Sequence, residues 1–164
     1  MHDALMVYFN GEKYAGLVLA GFAIFAIAAA VLLYRPGGDL RSFAMTLGII
    51  ALAEIALGIG LYVRTGPQVR RLEDQLRSDA RTFSAEEGTR MARVQKNFVI
   101  IEYVELLVII ACALAAVVLK AKPGPSGVAL GLLINASVLL AFDALAERRG
   151  AKYVEALTRT ERPT

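Results

Sequence analysis

The sequence predicts an all-α integral membrane protein, a four-transmembrane-helix bundle in which a cytoplasmic helical hairpin extends the second and third spans. The chain is 57% hydrophobic over 164 residues, with a mean hydropathy of +0.54. Soluble domains are only about 45–50% apolar. The apolar residues fall in four long runs and the charged residues cluster between them, which is typical of a multi-pass membrane protein.

Each apolar run is about 20 residues long, enough for a helix to cross roughly 30 Å of hydrocarbon. The predicted spans are 14–34, 42–63, 98–119 and 127–146, within a single membrane domain of 1–164. The segment before the first run contains Asp3 and Glu12 but only one basic side chain, Lys13. Because the run is also long for a signal peptide, we expect a retained span.

The connections between the spans are of two kinds. Arg35–Asp39 and Lys120–Gly127 are short and rich in Pro and Gly, and they predict tight turns. Fourteen of the 18 Lys and Arg residues lie on the side that holds the N-terminus, the long segment 64–97 and the tail 147–164. The positive-inside rule therefore predicts a bacterial-type inner (plasma) membrane protein with both termini in the cytoplasm.

The long segment 64–97 has the pattern of a helical hairpin. Its apolar residues at close to heptad spacing are Val69, Leu72, Leu76 and Phe83. Gly66–Pro67 predicts a kink or restart in the helix that leaves the second span. Ser84–Glu87 matches a capping box, which predicts that a new helix begins at Ser84.

The predicted hairpin is either a solvated connector or an interaction surface. Residues 68–96 could contact another copy of the chain or a cytoplasmic or membrane protein partner, and their basic residues could attract lipid head groups. Acidic residues interleave with the basic ones, so we do not expect nucleic-acid binding.

Small residues recur at four-residue spacing in three of the spans. They are Gly16, Ala20, Ala44, Gly48, Ala56, Gly60, Gly127 and Gly131. Such faces let helices approach closely, and a polar side chain on them, here Asn135, can hydrogen-bond across the contact. The pattern leaves open whether the contact lies within one chain or between copies. A bundle this small has little room for a transport path of its own, so we expect a homo-oligomer.

Two carboxylates are predicted at matched depth in different spans. Glu54 lies ten residues before Arg64, and Glu105 lies nine residues after Lys96. At about 1.5 Å per residue, both lie roughly 13–15 Å inside the membrane. Glu102 is one turn closer to the surface than Glu105 and on the same helix face.

The fourth span adds Asp143 and the deeper Asn135. An ionised acid at the centre of a span costs about 2.5–3.5 kcal/mol, and no Lys or Arg lies inside any span. The acids could be protonated, could bind a cation with oxygen ligands, or could face a water-filled path. Glu54 and Glu105 are the candidate ligands if the cation is a metal. Glu102 and Asp143 could instead be interfacial anchors.

The residue inventory argues against an enzyme or a cofactor carrier. The one cysteine, Cys112, excludes an intrachain disulfide, and the one histidine, His2, lies outside every span. Haem in a helical bundle needs axial ligands, so no cofactor is expected. The sequence therefore predicts a channel- or transporter-like protein with an intramembrane carboxylate site for protons or cations. The alternative is a membrane scaffold or accessory subunit whose hairpin recruits a partner.

Overall fold

The computed structural model describes residues 1–161 and folds them into α-helices. These are α1 (His2–Leu33), α2 (Arg41–Ser78), α3 (Ala80–Val118) and α4 (Pro123–Glu161). All four are long and apolar enough to cross a membrane, by length and composition. The predicted all-helical class with four such helices is confirmed. The last residues of the predicted tail, 162–164, lie outside the described residues.

Every helix is longer than the apolar run that it contains. α1 begins at His2, before the predicted first span, and α4 continues through the predicted tail to Glu161. α2 and α3 together take up nearly all of 64–97, and only Asp79 separates them. Glu, Gln, Lys, Arg and Ala are frequent in these extensions, and they are good helix formers.

The tip of the α2–α3 hairpin is capped by Asp79. Its Oδ1 accepts hydrogen bonds from the backbone amides of Arg81 (3.0 Å) and Thr82 (3.1 Å). The hydroxyl of Thr82 donates a further bond to Oδ2 at 2.6 Å. These bonds, above all the one from the Thr82 hydroxyl, hold the pKa of Asp79 below its usual range. The predicted start at Ser84 is therefore wrong, because Ser84 and Glu87 are buried inside α3.

In the described part of the chain three prolines lie within helices, namely Pro67, Pro123 and Pro125. Pro67 is inside α2, which is continuous from Arg41 to Ser78, so the helix does not restart at Gly66–Pro67. The kink that the sequence predicts there as the alternative stays a prediction. Two residues earlier the hydroxyl of Thr65 donates to the carbonyl of Leu61 at 2.6 Å. At the other end of the bundle α4 begins at Pro123, since proline is tolerated in the first turn of a helix. Because α4 begins at Pro123, the turn is shorter than the predicted 120–127.

The helices associate as two antiparallel hairpins. α1 packs along α2, and α3 packs along α4. The hairpins meet mainly where α2 lies against α4, while α2 and α3 make few contacts with each other. We call the end that holds the N-terminus and Asp79 the hairpin end, and the end that holds Arg35–Asp39 the turn end.

A belt of exposed apolar side chains surrounds the half of the bundle nearest the turn end. All four helices contribute large hydrophobic residues to it, and within the described residues none of these lies between Arg64 and Phe98 or after Leu145. Val7 lies outside the belt, at the hairpin end, and is 73% exposed. The belt matches the predicted spans and is about 30 Å high, from roughly 20 residues at 1.5 Å each. α3 is the least buried helix there; Tyr103 and Leu107 are each 66% exposed.

The hairpin end has a hydrophobic core of its own, to which every helix contributes. This hairpin-end core consists of Leu5, Tyr8, Phe9, Leu72, Phe83, Met91, Tyr153 and Leu157. Residues 64–97 therefore do not project alone, since both terminal segments pack against them. No pattern in the sequence predicts this packing.

Aromatic and charged groups meet within the hairpin-end core. The rings of Tyr8 and Tyr153 stack with centroids 5.0 Å apart. The carboxylate of Glu87 is buried and accepts two bonds from the guanidinium of Arg90, each 2.7 Å long. Burial raises the pKa of Tyr8 to about 12, with a smaller contribution from the charge of Glu12. Burial also raises the pKa of Tyr153 above its usual range.

Candidate functional site

A cavity of about 600 Å³ lies between the four helices, at the border of the apolar belt and the hairpin end. Its walls are mostly apolar. Its charged lining residues are Glu12, Arg64, Glu105, Asp143 and Arg149. This volume lies within the usual range of ligand pockets, about 300–1,000 Å³.

Small residues position the cavity by closing the bundle at the turn end. A Cβ atom added to Gly127 would lie 2.8 Å from the backbone nitrogen of Phe43. One added to Gly131 would lie 2.8 Å from the Cβ of Thr46. α2 and α4 are thus in direct backbone contact there. Toward the hairpin end larger residues replace these glycines, and the cavity lies between the two helices.

Three carboxylates from α3 and α4 meet at the cavity. Glu105 and Asp143 line it, and both interact electrostatically with Glu102, one turn along α3. Oε1 of Glu102 and Oε2 of Glu105 are buried without a hydrogen-bond partner among the described residues. The arrangement therefore holds three carboxyl groups close together, and two of their oxygens are buried without a donor, which is costly if the groups are ionised.

Glu54 lies apart from these three carboxylates. Only 1% of its surface is exposed, and neither carboxylate oxygen has a hydrogen-bond partner within residues 1–159. It lies between Ala51 and Gly58 on the buried stripe of α2, and Gly58 contacts α1. It does not line the cavity. The structure thus does not bring Glu54 and Glu105 into one cavity, although they lie at similar depths.

Asn135 occupies the buried stripe of α4 that begins with Gly127 and Gly131. It is 1% exposed, and its Nδ2 donates to the carbonyl of Gly131 at 2.7 Å. Its Oδ1 has no partner in the described part of the chain. Asn135 is therefore bonded within α4, and no hydrogen bond from it to α2 is present among these residues.

The small-residue faces lie mainly within the single chain. Gly16 and Ala20 meet Gly58, a glycine that the four-residue spacing did not select. A Cβ on Gly48 would lie 3.4 Å from that of Ala30. Gly60 differs, because a Cβ there would have no atom within 4 Å, and Gly60 lines the cavity instead.

Sequence reasoning missed two residues of the site, Glu12 and Arg149. Nη2 of Arg149 donates to Oε1 of Glu12 at 3.2 Å, which joins α4 to α1 at the cavity wall. Both residues lie just outside the predicted spans, so neither is among the charged residues within the spans. An ion-pair search between the flanks of different spans would have found the pair.

No group of three or more His, Cys, Asp or Glu side chains in residues 1–159 is arranged to hold a metal ion. Cys112 is a free, buried residue of α3. What the cavity offers chemically is therefore carboxylate oxygens beside two guanidinium groups.

No family model, curated protein or solved structure matches this chain.

Proposed function

We propose that the protein is a channel- or transporter-like membrane protein in which Glu105, Asp143 and Glu102 form a binding site for protons or cations. The observation that carries the proposal is that Oε2 of Glu105, at the four-helix cavity, and Oε1 of Glu102, one turn away, are both buried without a donor. Adjacent carboxylates in an apolar surrounding cannot all remain ionised at a low energetic cost. A proton or a cation from solution would remove that cost.

The membrane topology is part of the same proposal. The apolar belt supports four spans that cross the bilayer, with the hairpin end outside it. The excess of Lys and Arg at the hairpin end supports a cytoplasmic location for that end and for both termini. In this orientation, in a bacterial-type inner membrane, the cavity lies near the cytoplasmic face.

Among the candidate species we favour the proton. Arg64 and Arg149 line the same cavity and repel other cations. Only a proton converts a carboxylate into a neutral donor that can hydrogen-bond to its neighbour, so that a pair of acids shares one proton.

A homo-oligomer would complete the transport path. Within one chain the turn end is closed by Gly127 and Gly131 against α2, and by an alanine-rich contact of α1 with α2. α3 exposes most of its apolar surface, and its outward face is available to a second copy. We propose that the path to the turn end runs between copies, next to α3.

Proton flux in reconstituted liposomes tests the proposed site. A potassium diffusion potential drives protons inward, and an enclosed pH-sensitive dye records their entry. We expect Glu105→Gln to reduce the flux to that of protein-free liposomes, because the amide cannot release a proton. Glu86→Gln is the matched control, since Glu86 is exposed at the hairpin end. Flux in Glu105→Gln equal to that in the parent would contradict the proposal.

A groove at the hairpin end favours a second candidate function, that of a scaffold or accessory subunit. It has a volume of about 210 Å³ and lies between α2 and α3. Its lining residues are Gln68, Arg71, Leu72, Gln75, Phe83, Glu86, Glu87 and Arg90. Their mixture of charges suits a polar protein partner.

Charge reversal in the groove tests the scaffold candidate without disturbing the hairpin-end core. Arg71 and Glu86 line the groove and do not belong to the hairpin-end core. We expect Arg71→Glu with Glu86→Lys to release a partner that the parent retains on purification in mild detergent. Recovery of the parent as a single polypeptide species would contradict this candidate.

A further inference from the structure

Arg149 lies where two cavities meet. One is the charged cavity of about 600 Å³, and the other is a groove of about 340 Å³ nearer the N-terminus. This second groove is distinct from the groove between α2 and α3, and it is the one meant below. The other residues that line the groove are Asp3, Ala4, Val7, Tyr8, Lys152 and Tyr153. Within the described residues only Arg149 lines both, so its side chain stands between them.

The groove and the cavity are successive sections of one seam between α1 and α4. Residues three or four positions apart share a helix face. The stripe on α1 runs through Tyr8, Glu12 and Ala15, and the stripe on α4 runs through Tyr153, Arg149 and Ala146. Glu12 and Arg149 are the ion pair that crosses this seam. A path from the solvent to the carboxylates along the seam must pass them.

The position of Arg149 depends on the absence of a side chain at Gly11. A Cβ atom at Gly11 would lie 2.7 Å from Cδ of Arg149 and 3.1 Å from its Nε. The guanidinium is also incompletely bonded, because Nε is buried without a partner in the described part of the chain. Asp143 and Glu105 line the same cavity and offer alternative acceptors.

We infer that the Glu12–Arg149 ion pair is a gate between the groove and the charged cavity. With the pair closed, the guanidinium occupies the entrance and its charge keeps cations out. When Arg149 leaves Glu12 for a carboxylate of the cavity, its Nε gains an acceptor and the entrance opens. The identity of the species that passes the gate rests on the proposed function. The gate itself rests on the geometry alone.

Thiol accessibility tests the gate without any measurement of transport. Cys112→Ser removes the native thiol, and Ala146→Cys places a reporter on the cavity wall, where residue 146 is 7% exposed. A charged, water-soluble methanethiosulfonate labels the purified protein in nanodiscs. We expect Glu12→Gln and Gly11→Ala each to accelerate labelling by roughly tenfold, which corresponds to the loss of one charge-assisted hydrogen bond.

Gly11→Ala has a matched control on the same helix. A Cβ at Gly21 would meet no atom within 4 Å, so Gly21→Ala raises helix propensity equally without touching Arg149. Labelling at the parent rate in both Glu12→Gln and Gly11→Ala would overturn the gate. Accelerated labelling in a protein that carries no proton flux would support the gate and refute the proposed function. Proton flux that requires Glu105, together with labelling at the parent rate in both variants, would support the proposed function and overturn the gate.

Discussion

Gly16 and Gly58 bring the backbones of α1 and α2 into direct contact. A Cβ atom added to Gly16 would lie 2.6 Å from the carbonyl oxygen of Gly58. Real Cβ atoms do not approach a backbone oxygen so closely, so neither position accepts a side chain unless the helices separate. The contact lies one turn from Glu54, on the same buried stripe of α2.

The first prediction concerns this contact. We expect Gly58→Ala to lower the free energy of unfolding by about 1–3 kcal/mol, because the new methyl group must displace backbone atoms rather than a mobile side chain. Gly60→Ala is the control, since its Cβ would enter open space on the same helix. Denaturation in mixed micelles measures both variants. Equal stability of the two would show that α1 and α2 do not approach as described.

The second prediction is a loss of stability at high pH. The pKa of Tyr8 is raised from 10.0 to about 12 in the folded protein. The unfolded chain therefore loses the phenol proton first, and stability present below pH 10 is lost as the pH rises toward 12. A shift of this size corresponds to roughly 2–3 kcal/mol. Burial of Tyr153 acts in the same direction.

Tyr8→Phe should reduce the slope of stability against pH in this window, because no phenol remains to ionise at that position. Unfolding monitored at several pH values measures the slopes. The same slope in parent and Tyr8→Phe would contradict the burial of Tyr8 in the hairpin-end core.

The third prediction concerns the cap at the hairpin tip. Asp79→Ala removes the acceptor for the first amides of α3, and we expect faster amide hydrogen exchange at Arg81 and Thr82. Asp79→Asn should largely preserve the protection, because its side-chain oxygen accepts the same bonds. Ser84→Ala serves to test the cap predicted from the sequence. Exchange at Arg81 and Thr82 faster in Ser84→Ala than in Asp79→Ala would show that the cap is misplaced.

The helices and their number could be predicted from the sequence because apolar runs of span length have few alternative folds. The hairpin-end core could not be predicted in the same way. Leu5, Tyr8 and Phe9 belong to the short segment before the first predicted span, and they pack against Tyr153, about 145 residues further along the chain. Contacts between positions so far apart follow from how the helices pack, and no local pattern records them.

The candidate site, too, could be predicted from the sequence only in part. Counting residues from Arg64 and Lys96 gave the depths of Glu54 and Glu105, but depth does not fix the rotation of a helix about its axis. Rotation places Glu54 on the buried stripe of α2, outside the cavity, and Glu105 on the cavity wall. The buried glycine that decides the rotation of α2, Gly58, lies two residues from the Gly60 that the spacing indicated.

The most direct test of the central claim compares proton flux through Glu105→Gln with that through Glu54→Gln in matched liposomes. Both variants keep the shape of the side chain, and both residues lie within candidate spans. The account predicts that Glu105→Gln reduces flux to the protein-free level while Glu54→Gln conducts like the parent, because only Glu105 lines the cavity. Loss of flux in Glu54→Gln with normal flux in Glu105→Gln would contradict it.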